Sequence, residues 1–428
     1  MGDLAVLRRQ LLEAREARQA AIARACGVDH AVVFLSIGIP GRDKFTPGAL
    51  SLLRLAIEAV DRALPAAPLD RGLDALGPWA AVGVRLRPDA VKRATIDLES
   101  SLPAGRLLDL DVYDSAGRQV DRASVGLPPR SCLVCERPAV ECIRLSRHAA
   151  EDVTAAAARL LLRALASALA RGARTELELT PKPGLVDRLD SGSHPDLSFE
   201  AMSRSIDLLP AYFDDLLDIG EPLDLSACVA AGQRAERRMI EAIGTNAHKG
   251  YIFLAGLVLL AARTDAGRVA LRSNISTLGH RILGPRAIRD TSATPPTHGQ
   301  RARAGHGVSG ILHEALQGLP SVFDRGLPVL EAAGDATDHL LMAVLMQTVE
   351  DTTAVHRCGP AGLARIRNDG VRLQRLIEDR QEYLPWLAAL NDDYRRLNLT
   401  MGGVADCMAL CFALHEWWDR PSSLIYDW

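Results

Sequence analysis

Lysine is the rare cation of this chain, and its positions carry the first chemical signal. Of 50 basic residues, only Lys44, Lys92, Lys182 and Lys249 are lysine, so arginine supplies the other positive charges. Lysine is a compact point charge with an adjustable pKa, whereas arginine presents a planar fork. Three of the four lysines adjoin a glycine or proline break. This pattern favours binding of a phosphorylated ligand; the alternative is chance clustering.

The segment 180–187 reads Thr-Pro-Lys-Pro-Gly-Leu-Val-Asp. The prolines on both sides of Lys182 exclude a helix or a central strand, because each fixes φ and lacks an N–H donor. We therefore expect a stiff loop that aims Lys182 at a ligand, followed by Gly184, Asp187 and His194. The alternative is a proline-rich helix connector with ordinary solvated charges.

A second break, residues 244–250, precedes the longest apolar run of the chain, residues 251–262. The run predicts a buried helix, and a helix N-terminus attracts phosphate through its free N–H groups and its dipole. Polar residues also mark later helix ends, where ordinary capping is the alternative. The nucleotide-binding residues predicted at these breaks are Thr245, Asn246, Lys249, Gly250, Asp351, Gly402, Gly403 and Asp406.

Two carboxylates alternate with apolar residues in the stretch 108–112. In a strand, successive side chains point to opposite faces, so Asp109 and Asp111 share one face at a Cα separation of about 7 Å. Mg²⁺ accepts such carboxylate pairs and also holds phosphate oxygens. The sequence therefore predicts a magnesium site here; the alternative is the solvated face of an amphipathic strand.

A set of soft ligands follows with the spacing C-x2-C-x6-C-x5-H. Cysteine and histidine at such spacings bind structural zinc in many small domains. The alternative is that the cysteines are small buried hydrophobes. The predicted zinc ligands are Cys132, Cys135, Cys142 and His148.

The elements that must position these residues change character near Ala150. Strand-like apolar runs stop there, and Ala/Leu-rich helical periodicity continues to the end of the chain. The sequence predicts an N-terminal α+β domain, residues 1–150, with a mixed sheet. It predicts an all-α domain for residues 151–428.

Composition excludes several classes of function. The net charge of −3 argues against broad nucleic-acid binding, and the run 251–262 is too short to span a bilayer. The chain opens on a charged amphipathic helix and not on a signal peptide, and its eight cysteines have no secretory context. We expect a cytoplasmic protein that binds neither nucleic acid nor membrane.

The motifs together resemble known families. Residues 180–187, Gly192 to His194, 244–250 and Asn398 to Asp406 resemble the ATP:dephospho-CoA triphosphoribosyl transferase family, over about 155–415. The first 150 residues are similar to apo-citrate lyase phosphoribosyl-dephospho-CoA transferase. The matching pieces are Ile39-Pro-Gly41 with Lys44, Val91-Lys-Arg93, Gly105-Arg106 with Asp109-Leu-Asp111, and Gly126-Leu-Pro-Pro-Arg130 with Cys132 and Cys135.

The resemblance implies two transfers. The first joins the triphosphoribosyl group of ATP to the 2′-hydroxyl of 3′-dephospho-CoA and releases adenine. The second attaches phosphoribosyl-dephospho-CoA to a serine of the citrate lyase acyl carrier (gamma) subunit and releases pyrophosphate. The alternatives are a nucleotide hydrolase and a non-catalytic module that binds the carrier protein.

Each transfer makes chemical demands on side chains. Substitution at an anomeric carbon needs cations for the triphosphate, a carboxylate for the positive charge that develops, and groups that move protons. We expect Lys182 and Lys249 to bind the triphosphate, and His194 or His248 to move protons. The carboxylate candidates are Asp187, Asp351 and Asp406. For the second transfer the resemblance implies nucleotidyltransferase-like chemistry, and we expect Mg²⁺ on Asp109 and Asp111, aided by Lys44 and Lys92.

Overall fold

The structure is a computed structural model that describes residues 2–27, 31–41, 44–289, 305–332, 334 and 336–418. Its internal contacts divide the chain into two compact units. The first runs to Ala164 and also takes in the end of the last described helix from Trp417, and the second is Leu165–Glu416.

A five-stranded sheet forms the centre of the first unit. Its spatial order is β2-β3-β1-β4-β5, and every neighbouring pair is antiparallel. The prediction of a mixed sheet is therefore wrong: β3 and β4 run parallel to each other, but β1 lies between them and is antiparallel to both. The strands are β1 Ala31–Ile37, β2 Ala66–Asp74, β3 Gly77–Val84, β4 Leu108–Asp114 and β5 Gln119–Val120.

Helices cover both faces of this sheet, so β3 is buried along its whole length. On one face Phe34 stacks on Trp79, with ring centroids 5.2 Å apart, under the apolar side of the first helix. On the other face the second and third helices pack on the central strands. The helices are α1 Gly2–Ala25, α2 Ala49–Ala63, α3 Pro88–Ser101 and α4 Ala139–Arg144.

The described residues of the second unit form helices and connecting turns, and no strand occurs among them, which confirms the all-α prediction for this part. A short π-helical turn, Ser321–Gly326, joins two of the helices. The helices are α5 Ala150–Glu178, α6 Phe199–Asp207, α7 Leu209–Leu217, α8 Leu225–Ile243, α9 Lys249–Ala262, α10 Arg268–Arg289, α11 Ile311–Gln317, α12 Leu327–Ala332, α13 Thr337–Thr348, α14 Thr352–Glu378, α15 Leu384–Leu397 and α16 Gly402–Trp418.

Helix α9 is the buried helix that the apolar run predicts. The Tyr251 hydroxyl donates to the Leu169 carbonyl at 2.5 Å, and the Tyr212 hydroxyl donates to the Ile252 carbonyl at 3.0 Å. These bonds satisfy polar groups inside an apolar surround. The helix is therefore fixed at its N-terminal turn, where the candidate site residues begin.

Helix α5 begins at Ala150, and the division between the units falls inside it, at Ala164. The separability of residues 1–150 from 151–428 stays a prediction. By length and composition alone α5 is the one described helix that could cross a membrane. This is weak evidence, because core helices pass the same test, and Leu165, Leu169 and Leu177 of α5 are buried in the protein.

Candidate functional site

Strand β4 presents the predicted carboxylate pair. Leu108 and Leu110 are buried, while the Asp109 side chain is 52% exposed on the opposite face. Gln119 Nε2 donates to Asp111 Oδ1 at 2.8 Å. Burial raises the pKa of Asp111 to about 6, and the charge of Asp109 adds to the rise. The charge of Asp109 thus disfavours ionisation of Asp111, a cost that a bound cation would reduce.

The two lysines of the first unit lie in different places. Lys92 is buried in α3, and its Nζ donates to the Leu110 carbonyl at 3.0 Å. Its charge counteracts the rise in the pKa of Asp111. Lys44 Nζ donates to the Ile39 carbonyl instead, and desolvation lowers the pKa of Lys44. The structure therefore brings Lys92 to the carboxylate pair and places Lys44 at the turn after β1.

Beside the carboxylate pair lies a group that the functional predictions left out, centred on Glu99 of α3. The Leu110 N–H donates to Glu99 Oε1 at 3.1 Å. Glu99 Oε2 lies 3.0 Å from Arg122 Nη2 and 3.3 Å from Arg130 Nη2. Burial lowers the pKa of nearby Arg106, and the charges of Arg130 and Arg122 lower it further.

The helical spacing of α3 held a signal for Glu99. Val91, Thr95 and Glu99 lie four residues apart on one face, and all three are buried. A carboxylate on the buried face of a helix needs cationic or N–H partners. No comparable signal marked Arg122, which follows the hairpin.

The four predicted zinc ligands form one cluster, with their ligand atoms all within 4.8 Å of one another. Cys135 Sγ lies 3.6 Å from Cys142 Sγ and 3.3 Å from His148 Nε2. Sulfur atoms at a tetrahedral zinc are about 3.8 Å apart, given Zn–S bonds of about 2.3 Å. The Val134 N–H donates to Cys132 Sγ at 3.5 Å. The donor set and its spacing fit a tetrahedral zinc.

In the second unit, Lys182 is not the free loop cation that the sequence predicts. Its side chain is 1% exposed, and Nζ lies 2.5 Å from Glu176 Oε1 and 2.6 Å from the Glu176 carbonyl. The proline-bracketed turn folds back onto the end of α5 and buries the lysine there. A charge buried so deeply needs a paired carboxylate, which Glu176 supplies, and the binding of the triphosphate by Lys182 stays a prediction.

Glu176 was missed, although the periodicity of α5 marks it. Leu169, Ala173 and Glu176 occur at positions i, i+4 and i+7, which lie on one helix face. The first two are fully buried core residues, and Glu176 is buried with them. A glutamate on that face predicts a buried cationic partner.

Asp187 and Gly184 shape the loop in which they lie. Asp187 Oδ2 accepts from the Lys182 N–H at 2.8 Å, and Oδ1 accepts from the Leu189 N–H at 2.7 Å. Gly184 has φ of 70°, and a Cβ there would overlap the Leu399 carbonyl. The structure gives both residues an architectural role, and their roles toward a ligand stay predictions.

The ring of His194 has both nitrogens occupied. Arg357 Nη2 lies 3.2 Å from Nδ1, and Thr400 Oγ1 lies 2.9 Å from Nε2. Because a guanidinium only donates, Nδ1 must accept and Nε2 must carry the proton. Burial lowers the pKa of His194 to about 4, so the ring is neutral near pH 7.

His248 is held differently, at the N-cap of α9. Its Nδ1 lies 2.8 Å from Ser205 Oγ, and the Ser205 hydroxyl donates to the Met202 carbonyl at 2.7 Å. Serine has one hydroxyl proton, so Nδ1–H donates to Ser205 and Nε2 keeps its lone pair. Burial lowers the pKa of His248 to about 4, and the charges of Lys182 and Arg174 contribute.

The break before α9 meets the start of α16. A Cβ on Gly250 would overlap Asp406 Oδ2, so the glycine lets the carboxylate approach the helix. Lys249 is 64% exposed, with Nζ 3.5 Å from Glu236 Oε2. Thr245, which comes before Lys249 in the same break, is half-buried. Asn246 Oδ1 is buried and has no hydrogen-bond partner among the described residues.

Asp351 joins two helix starts. Oδ1 accepts from the Thr353 and Ala354 N–H groups of α14 at 2.9 Å each. Oδ2 accepts from the Gly403 N–H at 2.6 Å and the Val404 N–H at 3.2 Å, at the start of α16 just after Gly402. Capping therefore accounts for all of these contacts, and a ligand-binding role for Asp351 stays a prediction.

Asp406 lies on α16 near two other carboxylates. Burial raises the pKa of Asp406 well above its usual range, and Asp351 and Glu176 raise it further. The segments at 176–187, 248–250, 351 and 402–406 thus converge in the fold. A separate open cavity of about 860 Å³ lies in the same unit and is lined by Ser191, Gly192, Ser193, Pro195, Asp392, Arg395, Arg396 and Asn398.

Two family models match the chain. The ATP:dephospho-CoA triphosphoribosyl transferase model matches residues 162–421, and the apo-citrate lyase phosphoribosyl-dephospho-CoA transferase model matches residues 6–164. The two matches together span both structural units.

Some relatives match most of this chain, and others match only its second part. A "Protein CitXG" of Leuconostoc mesenteroides subsp. cremoris is 28% identical over 431 residues, which are 90% of this chain and 91% of that protein. A "Protein CitXG" of Haemophilus influenzae is 28% identical over 351 residues, 75% of each chain. A "Probable 2-(5''-triphosphoribosyl)-3'-dephosphocoenzyme-A synthase" of Azotobacter vinelandii is 36% identical over 257 residues, 56% of this chain and 86% of that protein. The chain belongs to the ATP:dephospho-CoA triphosphoribosyl transferase family, fused behind an apo-citrate lyase phosphoribosyl-dephospho-CoA transferase domain.

Proposed function

We propose that the two reactions of this bifunctional transferase of citrate lyase prosthetic-group biosynthesis take place in different structural units. The second unit makes 2′-(5-triphosphoribosyl)-3′-dephospho-CoA from ATP and dephospho-CoA and releases adenine. The first unit attaches phosphoribosyl-dephospho-CoA to the serine of the citrate lyase acyl carrier subunit and releases pyrophosphate. The observation that supports this most is the meeting of His248, Gly250 and Asp406 at one helix start inside the region matched by the synthase family.

His248 acts as the base in the first transfer. Its hydrogen bond to Ser205 leaves Nε2 as an acceptor for the 2′-hydroxyl proton of dephospho-CoA. A base with a pKa of about 4 takes that proton late, after the bond to adenine has largely broken and the ribosyl carbon is electron-poor. His194 lacks such a lone pair, since both of its nitrogens are occupied.

Asp406 acts as the acid. Burial and the nearby carboxylates of Asp351 and Glu176 raise the pKa of Asp406 and favour its protonated form, which can give its proton to the departing adenine. The protons then balance: His248 gains the one that the hydroxyl loses, and Asp406 supplies the one that adenine gains. Exposed Lys249, in the first turn of α9, binds the triphosphate.

In the first unit Asp109 and Asp111 hold Mg²⁺ during the second transfer. The pair fits the ion because both carboxylates share one strand face and the charge of Asp109 raises the proton affinity of Asp111, a repulsion that a cation would relieve. When bound, Mg²⁺ would neutralise charge on the triphosphate. The Cys132, Cys135, Cys142 and His148 cluster holds a structural zinc, and elemental analysis of purified protein should give about one zinc per chain. The use of ATP and dephospho-CoA as substrates supports a cytoplasmic location.

The test uses the purified full chain, ATP, dephospho-CoA and the apo carrier subunit, with adenine and the intact carrier mass as readouts. Adenine release that requires dephospho-CoA, followed by carrier gaining phosphoribosyl-dephospho-CoA, is the expected result. Nucleotide breakdown at the same rate without dephospho-CoA would favour a hydrolase. Carrier binding with neither adenine nor a mass gain would favour a binding module.

A further inference from the structure

Three arginines stand beside the Asp109/Asp111 pair, and the transfer chemistry described so far does not use them. Arg122 and Arg130 converge on the same oxygen of Glu99, and Arg130 Nη1 lies 3.8 Å from Asp109 Oδ1. Arg106 donates through Nη2 to the carbonyl of Ser131, the residue after Arg130. We propose that Arg106, Arg122 and Arg130 form a polyphosphate-binding site that holds the pyrophosphate end of the activated substrate. This inference rests on the proposed attachment reaction.

The cationic charge of this group exceeds what its structural contacts require. The three guanidiniums outnumber the two carboxylates that pair with them, Glu99, which is 6% exposed, and Asp109. The side chains of Arg122 and Arg130 remain 23% and 26% exposed, so an anion can reach them. Arg130 Nε is buried and has no hydrogen-bond partner among the described residues. Guanidinium forks match phosphate oxygens in pairs.

The position of Arg130 is set by the cysteine cluster that follows it. The Ala139 N–H donates to the Arg130 carbonyl at 2.8 Å, and Ser131 pairs with Pro138 in a short β-bridge. Cys132 comes next and brings in the first cluster ligand. The cluster therefore fixes the backbone that carries Arg130 and that accepts from Arg106. Such fixed donors suit a site where charge develops during reaction.

The reaction places that charge on pyrophosphate. The carrier serine oxygen forms a bond to the α-phosphorus, and the bond from that phosphorus to the bridging oxygen breaks. The electron pair of the broken bond goes to pyrophosphate, and the serine proton passes to water. Arg130 lies between the Asp109 carboxylate and Glu99, so it borders both the metal-binding pair and the site for the departing anion.

The test is calorimetric titration of the full chain with inorganic pyrophosphate in the presence of Mg²⁺. We expect R122Q and R130Q each to weaken binding at least about tenfold, as loss of a charge-assisted pair does. R118Q is the matched control, because Arg118 is 82% exposed and pairs with Asp114 at the hairpin. It should bind pyrophosphate within about twofold of the wild type.

A double variant, E99Q with R122Q, separates folding from binding, because it removes the buried carboxylate together with one of its partners. It should keep the wild-type zinc content and still bind pyrophosphate weakly. Wild-type affinity in R122Q and R130Q would overturn the inference. A wild-type chain that binds pyrophosphate with this arginine dependence but never modifies carrier would overturn the attachment function and leave the inference standing.

Discussion

Lys182 and Lys249 are the same residue type beside the same kind of break, yet the fold gives them opposite surroundings. Lys182 is enclosed and paired with Glu176, whereas Lys249 is mostly exposed and 3.5 Å from Glu236. Their sequence contexts do not separate them, because burial depends on how the proline turn packs against α5. The rarity of lysine singled out both positions in the sequence, but it does not indicate which of the two side chains faces solvent.

The first prediction follows from this contrast. K182M leaves the Glu176 carboxylate buried without its partner, so it should destabilise the second unit by about 3–5 kcal/mol. K249M should change stability by less than about 0.5 kcal/mol while weakening ATP binding. Urea unfolding followed by adenine release measures both variants. The double variant E176Q with K182M should recover part of the loss, and no recovery would contradict the buried-pair argument.

His248 and His194 provide a second pair of contrasting substitutions. H248Q removes the proposed base and should lower the rate of adenine release about 100- to 10,000-fold, with a small change in the urea midpoint. H194Q breaks the links to Arg357 and Thr400, so we expect it to cost about 1–2 kcal/mol of stability with a smaller effect on rate. If H194Q abolishes turnover and H248Q does not, the assignment of the base is wrong.

Asp111 provides a pH-dependent prediction. Its pKa in the folded chain is about 6, above the ordinary value of 3.8. Its contribution to stability is therefore fully present below about pH 4 and is lost as pH rises through 6. In EDTA, D111N should match the wild type at pH 4 and be more stable at pH 8, by on the order of 1–2 kcal/mol after solvent screening. A difference that does not vary with pH would contradict the raised pKa.

At the scale of elements, the start of α9 packs closely against the start of α16, where Gly250 lies next to Asp406. G250A adds a methyl group that overlaps Asp406 Oδ2, so the carboxylate must move. A Cβ on Gly402, in contrast, would lie 3.5 Å from Thr353 Oγ1, an ordinary contact. The two glycines thus offer a matched pair of substitutions at adjoining helix starts.

We expect G250A to lower adenine release at least about tenfold, because the proposed acid is displaced from its place. G402A should keep most of the activity. Assays of both variants at saturating ATP and dephospho-CoA make the comparison. Equal activity in the two variants would show that the approach of Asp406 to α9 does not matter for the reaction.

The elements themselves were predictable to different degrees. The alternation in β4 and the buried run of α9 follow from local periodicity, which the sequence displays directly. The order of the strands in the sheet does not follow from local periodicity. Strand β1 lies between β3 and β4, and such pairings join segments that are far apart in the chain. The carboxylate pair and the cysteine cluster were predictable because their residues lie only a few positions apart in the sequence. The hydrogen bonds that Asp351 Oδ2 accepts from Gly403 and Val404, about fifty positions away, left no local signal.

At the scale of the whole molecule, helix α5 offers a choice of where to cut. It starts at Ala150, while the division of contacts falls at Ala164. A fragment 151–428 keeps almost all of this helix, and a fragment 165–428 loses its first half. We expect the longer fragment to fold and to release adenine when dephospho-CoA is present, because Leu165, Leu169 and Leu177 stay in a complete helix.

The shorter fragment should be less stable, because its helix begins directly at the buried Leu165 without the preceding turns. Solubility, thermal unfolding and adenine release of the two fragments make the comparison. An inactive 151–428 beside an active full chain would contradict the independence of the second unit.

The cysteine cluster has one more consequence, which concerns oxidants. With no metal bound, Cys132 is the thiol most open to oxidation, because hydrogen bonds from the Val134 and Cys135 N–H groups outweigh desolvation and lower its pKa, whereas burial raises the pKa of Cys228, Cys358, Cys407 and Cys411 in the second unit. Peroxide would therefore attack the first unit before the second. An oxidised molecule would go on producing the triphosphoribosyl intermediate without delivering it, so oxidative stress would show itself as an accumulated intermediate and an unloaded carrier.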